Sequence, residues 1–177
     1  MTRRLATGAC VLFLFAVSPT MASAQVGVFF GAGPTFPIQD YGDYAKTGYV
    51  GSVGIWTPVG TQGLGLFGEG FYGSNSHSDV DGDKTNVYGG YGGATYRMGD
   101  PTVPGIFLIG KAGLLVHSYK SDDFPEHEGS DTQFSYGIGA GFTLPLEGAA
   151  PFATAQYIGS GDTQFIVVAV GVTIGGR

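Results

Sequence analysis

Residues 132–144 read TQFSYGIGAGFTL and form the clearest strand pattern in the chain. Two kinds of side chain alternate along this stretch. Large apolar residues occupy one set of alternate positions, namely Phe134, Tyr136, Ile138, Ala140, Phe142 and Leu144. Small or polar residues occupy the other set, namely Gln133, Ser135, Gly137, Gly139, Gly141 and Thr143. A repeat of two residues is typical of a β-strand, because successive side chains point to opposite faces.

The two faces of this strand indicate what lies on each side of it. A soluble sandwich would bury the large side chains and carry many charged residues outside, but charged residues make up only 12% of the chain. A face of glycine, serine and threonine instead fits the narrow interior of a small barrel whose outer surface contacts lipid. The stretch therefore predicts a membrane β-barrel.

The beginning of the chain has the pattern of a secretory signal peptide. Residues 1–24 carry two arginines, an apolar run over 9–17 and the small residues Ala-Ser-Ala before Gln25. This order of regions is typical of a leader that is removed after export. We expect residues 25–177 to form one barrel domain. The single cysteine, Cys10, lies in the leader, so the exported domain should contain neither a disulfide nor a thiolate metal site.

Eight segments have strand character, and each reaches the roughly 9–11 residues that a tilted strand needs to cross a bilayer. They span 25–33, 47–57, 63–73, 85–98, 105–119, 132–145, 151–159 and 164–175. The 33 glycines argue against helices. Long connections at 34–46, 74–84 and 120–131 alternate with compact turns. The pattern predicts an all-β fold, an eight-stranded antiparallel up-and-down transmembrane β-barrel, with the long loops outside and both termini in the periplasm.

The acidic residues follow the same division. Of the 14 acids, all except Glu69, Asp100 and Glu147 fall in the connections predicted to face outward. The overall charge is −6. Solvated loops are commonly acidic, so this distribution indicates an exposed, acidic outer surface.

The segment 31–49, GAGPTFPIQDYGDYAKTGY, resembles a known family. Through DYGDYAKTG at 40–48 and the alternating strands, the chain is similar to the small bacterial outer-membrane β-barrel domain proteins, which are porin-like and eight-stranded, as in the outer membrane protein X and A barrels. The resemblance implies insertion by the outer-membrane assembly machinery and a role in envelope integrity or adhesion. Such chains usually end on an aromatic residue, whereas this one ends TIGGR at 173–177; its last strand keeps the alternation, so we still expect assembly.

Three charged residues fall within the predicted strands. A lipid-facing Lys or Arg near mid-bilayer costs roughly 2–4 kcal/mol, so we expect Glu69, Arg97 and Lys111 to form a polar cluster inside the barrel and to plug the lumen. Glu69 has the same parity as Phe67 and Phe71. Either these phenylalanines fill the lumen or a bulge switches the faces of the strand; we favour the filled lumen.

Other motifs point to chemistry less directly. Asp79, Asp81 and Asp83 alternate as in a calcium loop, but no Glu closes the loop at the twelfth position, so a tight acidic turn is favoured over a metal site. The histidines His77, His117 and His127, in or beside the outer loops, leave open a lipid-modifying enzyme, although no spacing marks a catalytic triad. Aromatics near strand ends, such as Trp56, Tyr96, Tyr119 and Tyr157, are candidates for membrane-interface girdles.

The sequence as a whole favours a monomeric outer-membrane barrel with a structural or surface-interaction role. We expect no enzymatic activity, no cofactor and no nucleic-acid partner. The expected partners are outer-membrane lipids, lipopolysaccharide and the assembly machinery. Two other functions stay open: a narrow channel or carrier for small molecules, and a lipid-modifying enzyme. A soluble lipocalin-like barrel is the alternative fold.

Overall fold

A computed structural model describes residues 26–60, 63–77, 83–100, 102–120 and 129–176. The predicted signal peptide lies outside these residues. No helix in the described part of the chain has the length and apolar character needed to cross a membrane.

Eight strands and one short helix make up the described chain. In order they are β1 (Gly27–Pro37), α1 (Asp40–Tyr44), β2 (Gly48–Val59), β3 (Leu64–Ser76), β4 (Lys84–Arg97), β5 (Gly105–Lys120), β6 (Gly129–Thr143), β7 (Ala149–Ser160) and β8 (Thr163–Gly175). Each strand pairs antiparallel with the next, and β8 pairs with β1, so the sheet closes on itself. The predicted eight-stranded up-and-down barrel is confirmed.

The two ends of the barrel differ in their connections. We call the end with the β2–β3, β4–β5 and β6–β7 turns, where β1 begins and β8 finishes, the turn end. We call the opposite end, which carries α1 and the longer connections, the loop end.

Several strands are longer at the loop end than the sequence predicted. β1 continues to Pro37, β3 to Ser76, and β6 already starts at Gly129, so part of each predicted long loop is strand. Helix α1 was not predicted at all. The polar residues of β3 remain hydrogen-bonded in the ladder, because Ser74 lies opposite Asn86 of β4. Polar residues at these strand ends are what we expect where paired strands continue past the apolar part of a barrel wall into water.

Successive side chains along the strands point alternately outward and inward, as predicted. The large side chains of 132–144 point outward, and Phe134 and Ile138 are 64% and 62% exposed. Ser135 and Gly137 on the same strand are buried inside. β8 alternates in the same way, with Val170 66% exposed and Val167 buried. The outer wall is therefore apolar, and the interior is formed by the other face of every strand.

Candidate functional site in the barrel interior

The half of the interior nearer the loop end is densely packed. Its buried apolar side chains form one cluster: Tyr41, Ala45, Val50, Phe71, Val87, Tyr91, Leu115, Ile158, Phe165, Val167 and Ala169. Helix α1 supplies Tyr41, which is only 1% exposed and whose ring lies 6.5 Å from that of Phe165. Burial raises the pKa of the Tyr41 hydroxyl to about 12. The first loop therefore folds into the mouth of the barrel instead of standing away from it.

A buried ion pair lies beneath this cluster. Lys111 Nζ of β5 donates to Glu69 Oε2 of β3 at 2.7 Å, and the two side chains are 1% and 7% exposed. The Lys111 ammonium also lies 4.4 Å from the centre of the Tyr91 ring and 5.4 Å from that of Phe71. Both rings can stabilise the cation through their negative faces. The ammonium is thus enclosed by one carboxylate and two aromatic rings.

Arg97 does not join this pair, although the sequence placed all three charges in one cluster. It lies at the turn end of β4, where its guanidinium donates to the carbonyl of Val103. Six residues separate Arg97 from Tyr91, the direct partner of Glu69 in the β3–β4 ladder. At about 3.3 Å per residue, this separation is roughly 20 Å along the strand. The structure therefore brings Glu69 and Lys111 together and leaves Arg97 at the rim.

Phe67, Glu69 and Phe71 all point into the barrel, and the β2–β3 register continues from Tyr49↔Ser74 to Val59↔Leu64 without a bulge. Phe71 belongs to the packed cluster, with its ring 5.7 Å from that of Tyr91. Phe67 lies on the other side of Glu69, where it contacts Phe29 edge to face at 6.2 Å. The phenylalanines thus occupy the lumen on both sides of the ion pair.

The half of the interior nearer the turn end contains a cavity of about 710 Å³. We call this cavity the vestibule. Its wall is mainly aromatic and aliphatic, with Phe29, Trp56, Phe67, Phe107, Ile109 and Phe152. Glu69 lines its closed end, and Arg97 and Thr102 line its open end. The vestibule therefore runs from the ion pair to the turn end.

Four phenylalanines of the vestibule share one arrangement. Each lies directly opposite a glycine of the next strand: Phe29 and Gly54, Phe67 and Gly93, Phe107 and Gly141, Phe152 and Gly171. A Cβ atom built on any of these glycines would lie 2.3–2.6 Å from the ring, far inside van der Waals contact. The glycines thus make room for rings that lie against the barrel wall.

Trp56 also faces the vestibule, so it does not contribute to an interface girdle. Its indole Nε1 donates to Thr95 Oγ1 at 3.0 Å. Tyr119 likewise points inward at the loop end, where its hydroxyl donates to Asp83. Tyr96 is 49% exposed on the outer wall, as a girdle residue would be.

Polar groups at the loop end are held by specific hydrogen bonds. The buried Asn75 Nδ2 donates to Thr35 Oγ1 at 2.9 Å and to the carbonyl of Lys46 at 2.8 Å. These bonds tie the end of the first loop to β1 and β3. Sequence reasoning placed Asn75 in a loop and so missed this contact.

His127 lies outside the described residues, and within them His77 and His117 do not form a catalytic triad. His117 Nε2 lies 2.8 Å from Ser160 Oγ, a pairing that the sequence did not suggest. Ser160 is only 1% exposed, and His117 Nδ1 has no hydrogen-bond partner in the described part of the chain. His77 Nε2 lies 2.8 Å from the hydroxyl of Thr85. A triad needs an accessible nucleophile and an acid on the second ring nitrogen, and this arrangement supplies neither.

The proposed cation loop is described only in part. Asp79 and Asp81 lie outside the described residues, and Asp83 is buried just before β4. The described residues contain no group of three or more His, Cys, Asp or Glu side chains that could hold a metal. The preference for a tight acidic turn over a cation site at 79–83 stays a prediction.

Several solved structures of outer-membrane barrels are similar in fold to this chain. Neisserial surface protein A superimposes with a TM-score of 0.66 at 12% identity, over 86% of this chain and 97% of that one. The chain has the fold of small outer-membrane barrels. Ail, the attachment invasion locus protein of Yersinia pestis, was solved with the heparin analogue sucrose octasulfate and gives a TM-score of 0.60 at 14% identity, covering 87% and 99% of the two chains.

A third similar structure is the N-terminal β-barrel domain of Pseudomonas aeruginosa OprF, with a TM-score of 0.50 at 22% identity, over 86% of this chain and 97% of that one. No family model and no curated protein matches the chain. These structures are therefore similar to the chain in fold, and each alignment covers 86–87% of it.

Proposed function

We propose that this protein is a monomeric, non-enzymatic barrel of the outer membrane with a structural or surface-interaction role. The observation that carries the proposal is the outer wall: a closed sheet whose outward side chains are large, apolar and exposed, as at Phe134, Ile138 and Val170. A soluble protein rarely exposes so continuous an apolar surface. Lipids and lipopolysaccharide are the proposed surroundings of this wall, and the outer-membrane assembly machinery is proposed to insert it.

The packed half of the interior supports a plugged barrel in preference to a channel. Tyr41, Leu115 and Ile158 are each at most 1% exposed, and they lie between the loop end and the Lys111–Glu69 pair. Ion conduction would require these side chains to leave a close-packed cluster. By analogy with Ail, an attachment invasion locus protein, the loop end is the proposed contact surface.

Membrane fractionation of the expressed full chain tests the location. We expect the protein in the outer-membrane fraction, with gel mobility that differs between boiled and unboiled samples, and no steady conductance in planar bilayers. A soluble periplasmic protein, or one with unchanged mobility, would overturn the proposal. A steady single-channel conductance would overturn the plugged lumen and favour the channel.

A charge on the outer wall separates a lipid-facing barrel from a soluble one. Ile138→Arg should reduce the free energy of unfolding in lipid vesicles by roughly 2–4 kcal/mol, because a guanidinium near mid-bilayer is poorly solvated. Ser130→Arg, at an exposed loop-end position, is the matched control and should stay within about 0.5 kcal/mol. Equal, small effects of both variants would contradict a lipid-facing Ile138.

Orientation can be tested because the exported domain lacks cysteine. Ser130→Cys at the loop end should react with an impermeant maleimide on intact cells. Thr102→Cys at the turn end should react only after lysis, since short turns face the periplasm in outer-membrane barrels. The reverse pattern would place the loop end in the periplasm and refute a surface role.

A further inference from the structure

We propose that the vestibule binds a small, water-soluble amphipathic carboxylate that enters from the turn end, with its apolar body against the phenylalanines and its carboxylate at Arg97. This inference goes beyond the structural or surface role proposed above and does not depend on it.

The dimensions of the vestibule suit a small molecule. Its volume of about 710 Å³ lies within the range of roughly 300–1,000 Å³ that is typical of ligand pockets. Arg97 and Tyr91 lie roughly 20 Å apart along β4, which a strand tilt near 40° reduces to about 15 Å along the barrel axis. The vestibule is therefore deep enough for an aromatic ring or short alkyl chain below a head group at the rim.

The wall combines an apolar body with polar groups near the open end, as small-molecule sites usually do. Phe29, Phe67 and Phe152 form two edge-to-face contacts at 6.2 and 6.5 Å, so a continuous aromatic surface covers one side. At the closed end the Glu69 carboxylate is already bound to Lys111. Because the Lys111 ammonium compensates the charge of this carboxylate, an apolar group of a ligand can lie beside it.

Arg97 gives the site its preference for an anion. It lines the open end, and within the described residues it forms no ion pair. The nearby Asp100 uses its Oδ1 to accept hydrogen bonds from the backbone and hydroxyl of Thr102, at 2.8 and 2.7 Å. One Nη group donates to the Val103 carbonyl, and the half-buried guanidinium has further N–H groups at the rim that are suited to a carboxylate.

The direction of access follows from the closed wall. β1 pairs with β2 over nine positions and with β8 over nine more, and every other neighbouring pair is also joined, so lipid has no lateral route to the vestibule. The packed cluster closes the loop end of the interior. A ligand therefore reaches Arg97 through the turn end, from the aqueous side, and must be soluble in water.

Trp56 provides the measurement, since it is the only tryptophan and lines the vestibule. The full-length exported protein in phosphatidylcholine nanodiscs would be titrated with 4-bromophenylacetate, whose bromine quenches indole fluorescence. The cationic analogue 2-(4-bromophenyl)ethylammonium has the same apolar body and the opposite charge. We expect saturable quenching by the carboxylate, with an apparent Kd at least tenfold lower than for the ammonium compound.

Variants at the two ends of β4 test the role of charge. Arg97→Gln should weaken carboxylate binding at least tenfold, and Arg97→Lys should retain most of it. Lys84→Gln, which removes an exposed cation at the loop end of the same strand, should leave binding unchanged. Thr154→Phe places a ring inside the vestibule and should weaken carboxylate binding, whereas Ala155→Phe on the outer face of the same strand should not.

Heat-modifiable mobility of each preparation shows that the barrel is folded, independently of ligand binding. Linear quenching that never saturates in the folded wild-type protein would reflect partition into lipid and would overturn the proposal. Equal affinity for both probes, unchanged in Arg97→Gln, would also overturn it. A folded barrel in the outer membrane that fails to bind the carboxylate would refute the vestibule site and leave the proposed surface role intact.

Discussion

Replacing Glu69 with Gln should lower the free energy of unfolding by about 3–5 kcal/mol, because the change leaves the buried Lys111 ammonium without an opposite charge. The Lys111 side chain is 1% exposed, so water cannot replace the lost carboxylate. The rings of Tyr91 and Phe71, at 4.4 and 5.4 Å, remain and return only part of the stabilisation.

Lys111→Met should cost less, about 1–3 kcal/mol. The remaining Glu69 carboxylate lines the vestibule, where water can reach it. The double variant Glu69→Gln/Lys111→Met should be close to the wild type, since removing both charges avoids leaving either one buried alone. The coupling energy between the two sites should therefore be about 4–8 kcal/mol, which is the sum of the two single effects.

Urea unfolding of the vesicle-inserted barrel, followed by Trp56 fluorescence, measures these differences. With a slope of about 2 kcal/mol per molar urea, Glu69→Gln should move the midpoint down by roughly 1.5–2.5 M. Glu147→Gln, at an exposed acid of the β6–β7 turn, is the matched control and should change the midpoint little. A shift below about 0.5 M for Glu69→Gln, or strictly additive single effects, would refute the reasoning.

Three further perturbations test other contacts. Gly93→Ala should cost about 1–3 kcal/mol, because its Cβ would lie 2.6 Å from the Phe67 ring and 2.5 Å from a backbone oxygen, whereas Gly92→Ala, with open space around it, should be nearly neutral in the same urea titration. Asn75→Ala should cost about 1–3 kcal/mol and speed tryptic cleavage of the first loop, since it leaves a buried hydroxyl and a carbonyl unpaired. Burial raises the pKa of Tyr41 to about 12, so its neutral hydroxyl contributes fully to the free energy of unfolding below about pH 10, and this contribution is lost as the pH rises toward 12. Tyr41→Phe should therefore make the free energy of unfolding depend less on pH between about 10 and 12. An unchanged slope in this range would contradict the expectation.

The fold was predictable from one strand because its two faces differ in side-chain size and polarity, as the wall of a small barrel requires. In 132–144 the outer face carries large apolar residues such as Phe134 and Ile138, and the inner face carries small residues such as Ser135 and Gly137. A strand in a soluble sandwich meets no such contrast. The number of strands could be predicted because the same alternation recurs in each of them. The strand ends could not, because polar residues such as Asn75 still pair with the neighbouring strand beyond the apolar segment.

The interior was less predictable because its contacts join residues far apart in sequence. The alternation of side chains along each strand indicated that Glu69 and Lys111 point inward. It did not give their positions along the barrel axis, and these positions decide which charged side chains meet. The strand tilt and register place Lys111 beside Glu69, 42 residues away, and leave Arg97 at the rim. The pairing of His117 with Ser160 depends on register in the same way. These contacts appear only once all eight strands are aligned.

The vestibule follows from a relation between strands that no single segment displays. Four inward phenylalanines near the turn end would obstruct the lumen if their rings projected toward its axis. Each ring instead takes the space of a missing Cβ on the glycine opposite, as Phe152 does with Gly171 at 2.3 Å. Larger residues at these glycines would force the rings away from the wall and narrow the cavity. The glycines that mark the interior face of the strands are therefore also what keeps the turn-end half open, while the other half, filled by Leu115, Ile158 and Phe165, is closed.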